Sequence, residues 1–343
     1  MHCTLFVTDL MLATPGGARF RPPRIPATEQ IFARGDRAVA QAIDTVEWYC
    51  RQFGVARQQD WPVAPFRLAA DAGTPGTDYW LCCDPVHLRA DRTQLVLANS
   101  VTDLAEDEAR ALIAALNTHF ATDGISLLAP TPQRWYLRSR STPRIVTTGL
   151  NRALHRSVNA HLPQGPDALQ WHRLINEAQM ILHAHPVNET REAQGKTPVN
   201  SVWPWGGGTA ATPGAARYEA LYANDALTRA LAAGARVSAQ ELPVNAAAWL
   251  ALPHIKNTGE LLVLDELTHA LGCGNLAAWQ DALMRLECEW MTPLLDALRT
   301  GNITTLSLVA CNATSAITAS LTRAQRWRWW RRARPLDDPV NSA

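Results

Sequence analysis

The chain of 343 residues lacks the features that mark a protein for secretion or membrane insertion. Its first residues, MHCTLFVTDLML, have no Lys or Arg ahead of the apolar stretch and place Asp9 within it. A signal peptide needs a basic flank, and a spanning helix needs about 20 apolar residues, so we expect neither. The seven cysteines form no CxxC pair and no zinc-type spacing. We therefore predict reduced thiols in a cytoplasmic protein.

Lysine is also scarce, since arginine supplies 30 of the 32 basic residues. Together with the abundant alanine, we interpret this as base-composition bias rather than as a sign of function. No lysine follows the glycine run Gly206–Gly208, so the chain has no nucleotide-binding P-loop. No low-complexity linker or internal repeat is present. What remains is a globular composition, 47% hydrophobic and 18% charged, in a chain long enough for one large or two modest domains.

Positive charge is concentrated near the carboxyl terminus. Residues 323–334 hold six arginines and no acid, so a net charge of +1 leaves about −5 for the rest of the chain. Arginines interleaved with tryptophans suit nucleic acid, and equally an anionic membrane surface. The alternative is a terminal helix whose Trp327 and Trp330 pack on the core while the arginines stay solvated. We predict the packed helix, with Arg326 and Arg331 more exposed than Trp327.

Helix and strand patterns alternate along the chain. Apolar residues at three- and four-residue steps predict helices over 39–53, after Asp103 as far as Gly124, between Pro166 and Pro186, and after Asn275 with an interruption at Pro293. Short apolar runs predict strands at 4–8, 94–98, 125–128, 261–264 and 303–309. This order indicates an α/β protein with a doubly wound, mostly parallel sheet covered on both faces by helices.

A dense group of low-frequency residues lies near the middle of the chain. It runs from His185-Pro-Val-Asn188 through Arg191, Gly195-Lys196, Pro198 and Asn200 to Trp203-Pro-Trp205-Gly206-Gly207-Gly208. This stretch resembles a segment of the archaeal-type cofactor-independent phosphoglycerate mutases, which belong to the alkaline phosphatase superfamily. The whole chain is more similar still to the bacterial RpfE-type regulatory proteins, through Trp80-Leu-Cys-Cys-Asp84-Pro-Val-His87-Leu and Arg134-Trp135-Tyr136.

The resemblance implies a doubly wound sheet of alkaline phosphatase type with an inserted α+β subdomain. The insertion would cover residues 129–200, where the alternation of helix and strand patterns breaks. The phosphatase-like core would then be discontinuous, formed by 1–128 and 201–322. Residues 323–343 would be a basic, aromatic tail.

The same central stretch provides the candidate ligand-binding residues: His185, Asn188, Arg191, Asn200, Trp203, Trp205, Gly206, Gly207 and Gly208. Trp203 and Trp205 alternate about Pro204, so both rings point to one side of an extended segment. Glycines allow a close approach of the backbone, whose amides could receive a phosphate. Arg191 would supply the positive charge. The alternative is a tight connection packed under two aromatic rings.

A residual metal site is the second candidate. Asp9 follows the first predicted strand, and Asp265 with His269 follows another at a four-residue spacing that places both on one side of a helix. The mutases bind two divalent metals with aspartates and histidines at strand ends, so the resemblance implies a manganese or zinc site here. The alternative for Asp265 and His269 is a helix cap and a surface imidazole.

The other mutase signatures do not follow. Where the mutase pattern has Asp-His, this chain has Cys311-Asn312, and no histidine comes later. Thr28, Thr74 and Ser100 stand where a nucleophile could be, but none has a mutase-like context. We therefore expect no cofactor, unless the residual site is functional and binds a divalent metal, manganese or zinc.

Three hypotheses follow for the function. The first is a non-catalytic or regulatory binding protein that retains a pocket for a small anionic ligand. The second is a metal-dependent phosphoryl-transfer enzyme with an atypical site built on Asp9, Asp265 and His269. The third is a nucleic-acid-associated regulator that uses the arginine and tryptophan residues of the tail. We rank the first highest, because the residues missing from the second carry the chemistry.

Overall fold

The structure is a computed structural model that describes residues 1–10, 22–41, 44–91, 94–254, 258–272, 276–311, 315–328, 330–333 and 335. The chain divides into two compact units. The first unit combines residues 1–48 with 216–343, and the second is the continuous segment 49–215. Within the described ranges, no helix is long and apolar enough to cross a membrane.

Helices and strands alternate through both units. The strands are β1 (His2–Thr8), β2 (Asp36–Gln41), β3 (Tyr79–Asp91), β4 (Gln94–Ser100), β5 (Ile125–Thr131), β6 (Arg134–Ser139), β7 (Ser201–Gly208), β8 (Ala220–Tyr222), β9 (Ser238–Gln240), β10 (Gly259–Leu264), β11 (Thr305–Cys311) and β12 (Ser315–Thr322). The helices are α1 (Pro26–Arg34), α2 (Thr45–Gln52), α3 (Val63–Ala70), α4 (Glu106–His119), α5 (Leu150–Ala153), α6 (Ala168–His183), α7 (Pro186–Ala193), α8 (Ala226–Gly234), α9 (Ala246–Leu250), α10 (Glu266–Gly272), α11 (Leu276–Arg285) and α12 (Thr292–Thr300).

The first unit is built on a seven-stranded sheet in the order β2-β12-β11-β1-β10-β8-β9. The five strands from β11 to β9 are parallel, and β12 and β2 add antiparallel pairs at one edge. Alternate residues of β1 bury opposite faces: Leu5 packs in the cluster that contains α11 and α12, and the Phe6 ring stacks on Trp48. The predicted mostly parallel α/β sheet, covered on both faces, is confirmed.

The second unit has its own antiparallel sheet. β4, β3, β6 and β5 are neighbours in that order, and β7 also pairs with β3. The predicted strands at 94–98 and 125–128 therefore belong to this sheet, not to the parallel one. β3 was not among the predicted strands because Asp84 and Pro85 interrupt its apolar pattern. Since β3 pairs with three other strands, it joins them into one unit, which begins at Tyr49 and contains the whole predicted insertion 129–200.

The helix predicted over 39–53 is wrong in its first half. Residues 36–41 form β2, which pairs antiparallel with β12, and the helix begins only at Thr45. The apolar spacing fits a helix, but pairing with β12 determines the conformation, and β12 was not predicted. The long helix after Asn275 is interrupted as expected: a π-helical turn, 286–291, separates α11 from α12, which has Pro293 in its first turn.

A residue of that π-helical turn also caps the amino terminus of α1. The residue that precedes α1 is Ile25, whose side chain cannot accept a hydrogen bond from the helix amides. Glu287 takes its place: its carboxylate accepts from the Ala27 amide at 2.5 Å, the Thr28 amide at 3.2 Å and the Thr28 hydroxyl at 2.7 Å. A buried carboxylate at a helix amino terminus is also favoured by the helix dipole.

We expect Glu287→Gln to lower the free energy of unfolding by about 1.5–3 kcal/mol, because an amide group offers one acceptor oxygen where the helix needs two. Urea denaturation would measure the change. Glu289 is exposed on the same π-helical turn, so Glu289→Gln serves as the control and should stay within about 0.5 kcal/mol of the parent. Equal stabilities for the two variants would show that Glu287 does not cap α1.

Candidate functional site

The residues that follow β8, β10, β1 and β11 form the carboxyl edge of the parallel sheet. Two aspartates lie at this edge. Asp9 follows β1 and Asp265 follows β10, and these strands are parallel neighbours with Val7 opposite Leu264. Adjacent strands lie about 4.8 Å apart, so Asp9 and Asp265 follow strand ends that are side by side. The predicted placement of Asp9 and Asp265 on neighbouring strand ends is confirmed. Open α/β sheets bind ligands at this edge.

Asp9 is held in an unusual conformation. Its φ of 54° lies in the left-handed region, which non-glycine residues rarely adopt. Its amide donates to the Cys311 carbonyl at 2.7 Å, and its carbonyl accepts from the Trp279 indole at 3.1 Å. Its carboxylate accepts from the Thr268 hydroxyl at 2.8 Å. Contacts with β11, α10 and α11 thus fix the carboxylate over the strand ends.

The next strand end carries a thiol. Cys311 is buried at the end of β11, and burial, reinforced by the negative charges of Asp9 and Asp44, raises its pKa to about 11. The hydroxyl of Thr45 lies 3.9 Å from its sulfur. Sequence reasoning missed Thr45, although the dipeptide Asp44-Thr45 is a typical helix start and the Val46 amide donates to Asp44 at 2.8 Å.

The hydroxyls considered from the sequence lie elsewhere. Thr28 is fully buried and donates to Glu287, as described above. Thr74 is exposed in the second unit, and Ser100 ends β4 in that unit. Among the described residues, the Thr268 hydroxyl donates to Asp9 and also shares a hydrogen bond with the Thr8 hydroxyl, whereas Thr45 lies beside Cys311.

A third carboxylate at the same edge was not anticipated. Asp225 lies just beyond β8 and caps α8, accepting from the Thr228 amide at 2.8 Å through one oxygen and from the Thr228 hydroxyl through the other. Burial raises the pKa of Asp225. The hydrogen bonds from Thr228 lower this pKa, and the charge of Asp265 raises it. The edge is therefore acidic.

The donor set at this edge fits a metal centre poorly. Hard divalent ions favour carboxylate oxygens, and a two-metal site needs several of them together with imidazoles. Asp225 accepts from Thr228, and Cys311 offers a soft sulfur where hard ions favour oxygen. Across the described residues, no three His, Cys, Asp or Glu side chains are grouped to hold an ion. His269 lies in α10, but its side chain is outside the described part of the structure.

The candidate ligand-binding residues all lie in the second unit, and the predicted cation among them is already paired. Arg191 is fully buried and bonds Asp103 at 2.6 Å and Glu108 at 2.7 Å. Its Nε donates to the Thr197 carbonyl at 2.9 Å. Two carboxylates therefore neutralise this guanidinium from within the fold, and the expectation that it serves a phosphate is not supported by the geometry.

The side chains of Asn188, Asn200 and His185 are also hydrogen-bonded within the fold. Asn188 is buried, donates to the carbonyls of Leu182 and Val199 at 2.7 Å each, and accepts from the Val199 amide at 2.8 Å. Asn200 exchanges two hydrogen bonds with the backbone of Leu88. His185 caps α7 by accepting from the Val187 amide at 3.2 Å. These side chains tie chain segments together.

The Trp-Pro-Trp-Gly-Gly-Gly segment is a buried strand, β7, and not a loop. Both indoles are buried: Trp203 donates to the Thr148 carbonyl at 2.8 Å and Trp205 to the Asp84 carboxylate at 2.9 Å. Asp84 also pairs with Arg67 at 2.8 Å, and this guanidinium lies 5.5 Å from the centre of the Trp205 ring. The Trp205 ring, with Tyr136 at 5.9 Å from the same guanidinium, thus packs against a buried ion pair.

The glycines of β7 are explained by close packing. A Cβ at Gly206 would come within 2.9 Å of Val63, and one at Gly208 within 2.4 Å of Pro62. A Cβ at Gly207 would lie 2.3 Å from the Tyr79 hydroxyl. Side chains fill the space in front of this backbone, so the packed alternative describes the segment better than a phosphate cradle does.

Comparison with known proteins relates the chain to one group of enzymes. No family model matches it. It is 30% identical over 119 residues to the 2,3-bisphosphoglycerate-independent phosphoglycerate mutase of Methanosarcina mazei, covering 32% of this chain and 28% of that protein. The 2,3-bisphosphoglycerate-independent phosphoglycerate mutase of Methanosarcina acetivorans is 26% identical over 259 residues, covering 71% of this chain and 60% of that protein. The chain thus matches less than two thirds of the length of these curated relatives.

A solved structure gives a weaker likeness. The cofactor-independent phosphoglycerate mutase of Thermoplasma acidophilum matches at 15% identity with a TM-score of 0.46, covering 94% of this chain and 89% of that one. A score below 0.5 does not by itself establish a shared fold. The sequence matches show that the chain is similar to phosphoglycerate mutases over part of their length.

The packing role of Gly207 is testable in the second unit. We expect Gly207→Ala to lower the free energy of unfolding by about 1–3 kcal/mol through overpacking against Tyr79. Adding Tyr79→Phe should recover part of the loss, because the hydroxyl that the new methyl meets is removed. That hydroxyl is buried without a hydrogen-bond partner among the described residues, so its removal costs little.

Gly214→Ala is the matched control for Gly207→Ala. A Cβ there would be 3.5 Å from its nearest neighbour, an ordinary contact, so stability should change by less than about 1 kcal/mol. Chemical denaturation of the parent and the three variants would measure these differences. A fully stable Gly207→Ala protein would contradict the packing explanation.

Proposed function

We propose that this protein is a non-catalytic, regulatory relative of the phosphoglycerate mutases, in agreement with the resemblance to RpfE-type regulatory proteins. One observation carries the proposal: β11, the neighbour of β1 in the parallel sheet, ends in the buried Cys311 beside Asp9. The resemblance places an Asp-His pair at this position. A carboxylate and an imidazole are the groups that would bind metal and stabilise a transferring phosphoryl group.

The neighbouring carboxylates do not replace that pair. Asp225 is engaged by its own helix, and Asp9 is bonded to Thr268. In the second unit, an anion would have to compete with Asp103 and Glu108 for Arg191. We therefore propose a regulatory role for this protein, and no phosphate pocket around Arg191.

A metal-dependent phosphoryl-transfer enzyme is the second candidate. The observation that favours it is that Asp9 and Asp265 follow neighbouring parallel strands, while the Thr45 hydroxyl lies 3.9 Å from the sulfur of Cys311 at the end of the next strand. The Thr45 hydroxyl, at the start of α2, would be the nucleophile of this enzyme. In this hypothesis Asp9, Asp265 and His269 would supply the ligands of a divalent ion.

We expect purified protein to show no phosphoglycerate mutase turnover with manganese, cobalt or zinc, because strand β11 provides neither carboxylate nor imidazole. The conversion of 3-phosphoglycerate would be followed by a coupled assay and by 31P NMR, which does not depend on coupling enzymes. A mutase assayed in the same buffers shows that each metal is active.

Variants at the acidic edge separate the two hypotheses. Asp265→Ala removes a candidate ligand, and Glu266→Ala removes the next, exposed carboxylate as a control. Turnover by the parent that disappears in Asp265→Ala but persists in Glu266→Ala would establish the enzyme and overturn the proposal. Activity that is equal in all three proteins would indicate a contaminant.

A further inference from the structure

The arginine–tryptophan tail, residues 323–334, is attached to the first unit by its polar groups. Arg328 pairs with Asp36 at 2.6 Å and donates to the Arg34 carbonyl at 3.2 Å. Gln325 donates to the same Asp36 carboxylate at 2.5 Å, and Arg331 donates to the Gly35 carbonyl at 3.4 Å. The hydrogen bond from Arg328 lowers the pKa of Asp36. These contacts hold the tail beside the start of β2.

Two tryptophans of the tail are largely exposed. Trp327 is 67% exposed and Trp330 is 64% exposed, so the predicted helix anchored by these two rings is wrong. The backbone explains the difference, because residues 325–327 form a single 3-10 turn and no helix follows in the described part of the tail. A spacing of three residues brings side chains to one face only where a helix continues. Arg326 cannot be compared, since its side chain lies outside the described residues.

The exposed face combines indoles with positive charge. Arg331 and Arg332 are exposed beside Trp330, and the tail contains no acid to neutralise them. Two large aromatic rings in water are an unusual surface feature that marks an interaction site when charge of one sign surrounds it. The complementary partner is a polyanion that offers flat, apolar faces.

Single-stranded nucleic acid fits that description better than a membrane does. A peripheral membrane helix buries a broad apolar face that usually includes leucine or phenylalanine. Apart from tryptophan, the only apolar residues of the tail are Ala324 and Ala333, and the described backbone offers one turn. Bases stack on indoles without needing a continuous apolar face, while arginines contact the phosphates.

We propose that the tail is a binding site for single-stranded nucleic acid, in which bases stack on Trp327 and Trp330 and phosphates are bound by Arg331 and Arg332. Sequence preference would be weak, because stacking accepts any base and arginine reads only the backbone. This site is separate from the acidic edge of the parallel sheet, so it does not depend on whether the protein is an enzyme.

The test uses the full chain and a fluorescently labelled 20-nucleotide oligo-dT, with binding followed by fluorescence anisotropy. We expect binding that weakens steeply between 50 and 200 mM NaCl. Trp327→Ala combined with Trp330→Ala should lose about 10-fold or more in affinity, because each stacked base contributes through an indole. Arg331→Ala combined with Arg332→Ala should weaken binding and reduce the dependence on salt.

Matched controls separate binding from folding. Leu169 and Met180 are also exposed apolar residues, at 82% and 74%, so Leu169→Ala with Met180→Ala should leave affinity unchanged. The tryptophan double variant and the Leu169 and Met180 double variant should both melt at the temperature of the parent, since exposed side chains contribute little to stability. Truncation after Thr322 should abolish binding. A melting temperature that falls in the tryptophan variant would restore the packed-tail hypothesis.

Several outcomes would overturn the proposal. The parent could fail to bind oligo-dT at low salt, or it could bind as tightly after both tryptophans are replaced. Equal affinity for a 20-base-pair duplex, whose bases cannot stack on indoles, would show that only charge is recognised. Binding to vesicles of phosphatidylglycerol and phosphatidylcholine in the absence of oligo-dT binding would identify a membrane surface instead.

Discussion

The parallel pairing of β1 with β10 and β11 is the constraint on which the first unit depends. Residues Cys3 to Val7 are buried, as expected for a central strand covered on both faces. Because these strands run in the same direction, their carboxyl ends lie along one edge. Asp9, Asp265 and Cys311 follow three adjacent strands and must therefore be neighbours. The acidity of that edge is thus a consequence of topology, while its chemistry depends on which residue ends each strand.

The second unit depends in a similar way on β3, although its core contains charge. Asp84 lies within this strand and pairs with Arg67, and Arg191 is buried between Asp103 and Glu108. A buried charge without its partner is costly, whereas a paired one fixes the arrangement of the segments that supply it. The Arg67 pair connects α3 to β3, and the two pairs of Arg191 connect α7 to α4 and to Asp103 just before it. This explains why residues that look like a ligand pocket in the sequence are occupied by other parts of the protein.

The sequence predicted what depends on local pattern. Buried apolar runs indicated β1, β10 and β11, and the position of Asp9 and Asp265 followed from them. Residues whose conformation depends on distant partners were missed: β2 has a helical spacing but pairs with β12, and β3 contains a proline. For Arg191 and the glycines of β7, residue type suggested a ligand, but the partners come from segments remote in sequence. Sequence pattern does not contain that information.

The insertion of one unit within the other has a consequence for synthesis. Residues 49–215 are continuous and complete their own sheet without the rest of the chain. β1, by contrast, pairs with strands that begin at Gly259 and Thr305. Chains emerge amino terminus first at about 5–20 residues per second, so β1 waits on the order of tens of seconds for its partners. During that time the run from Cys3 to Val7 is an apolar strand with two open edges in the nascent polypeptide, and its protection from aggregation must come from outside the sheet that finally buries it.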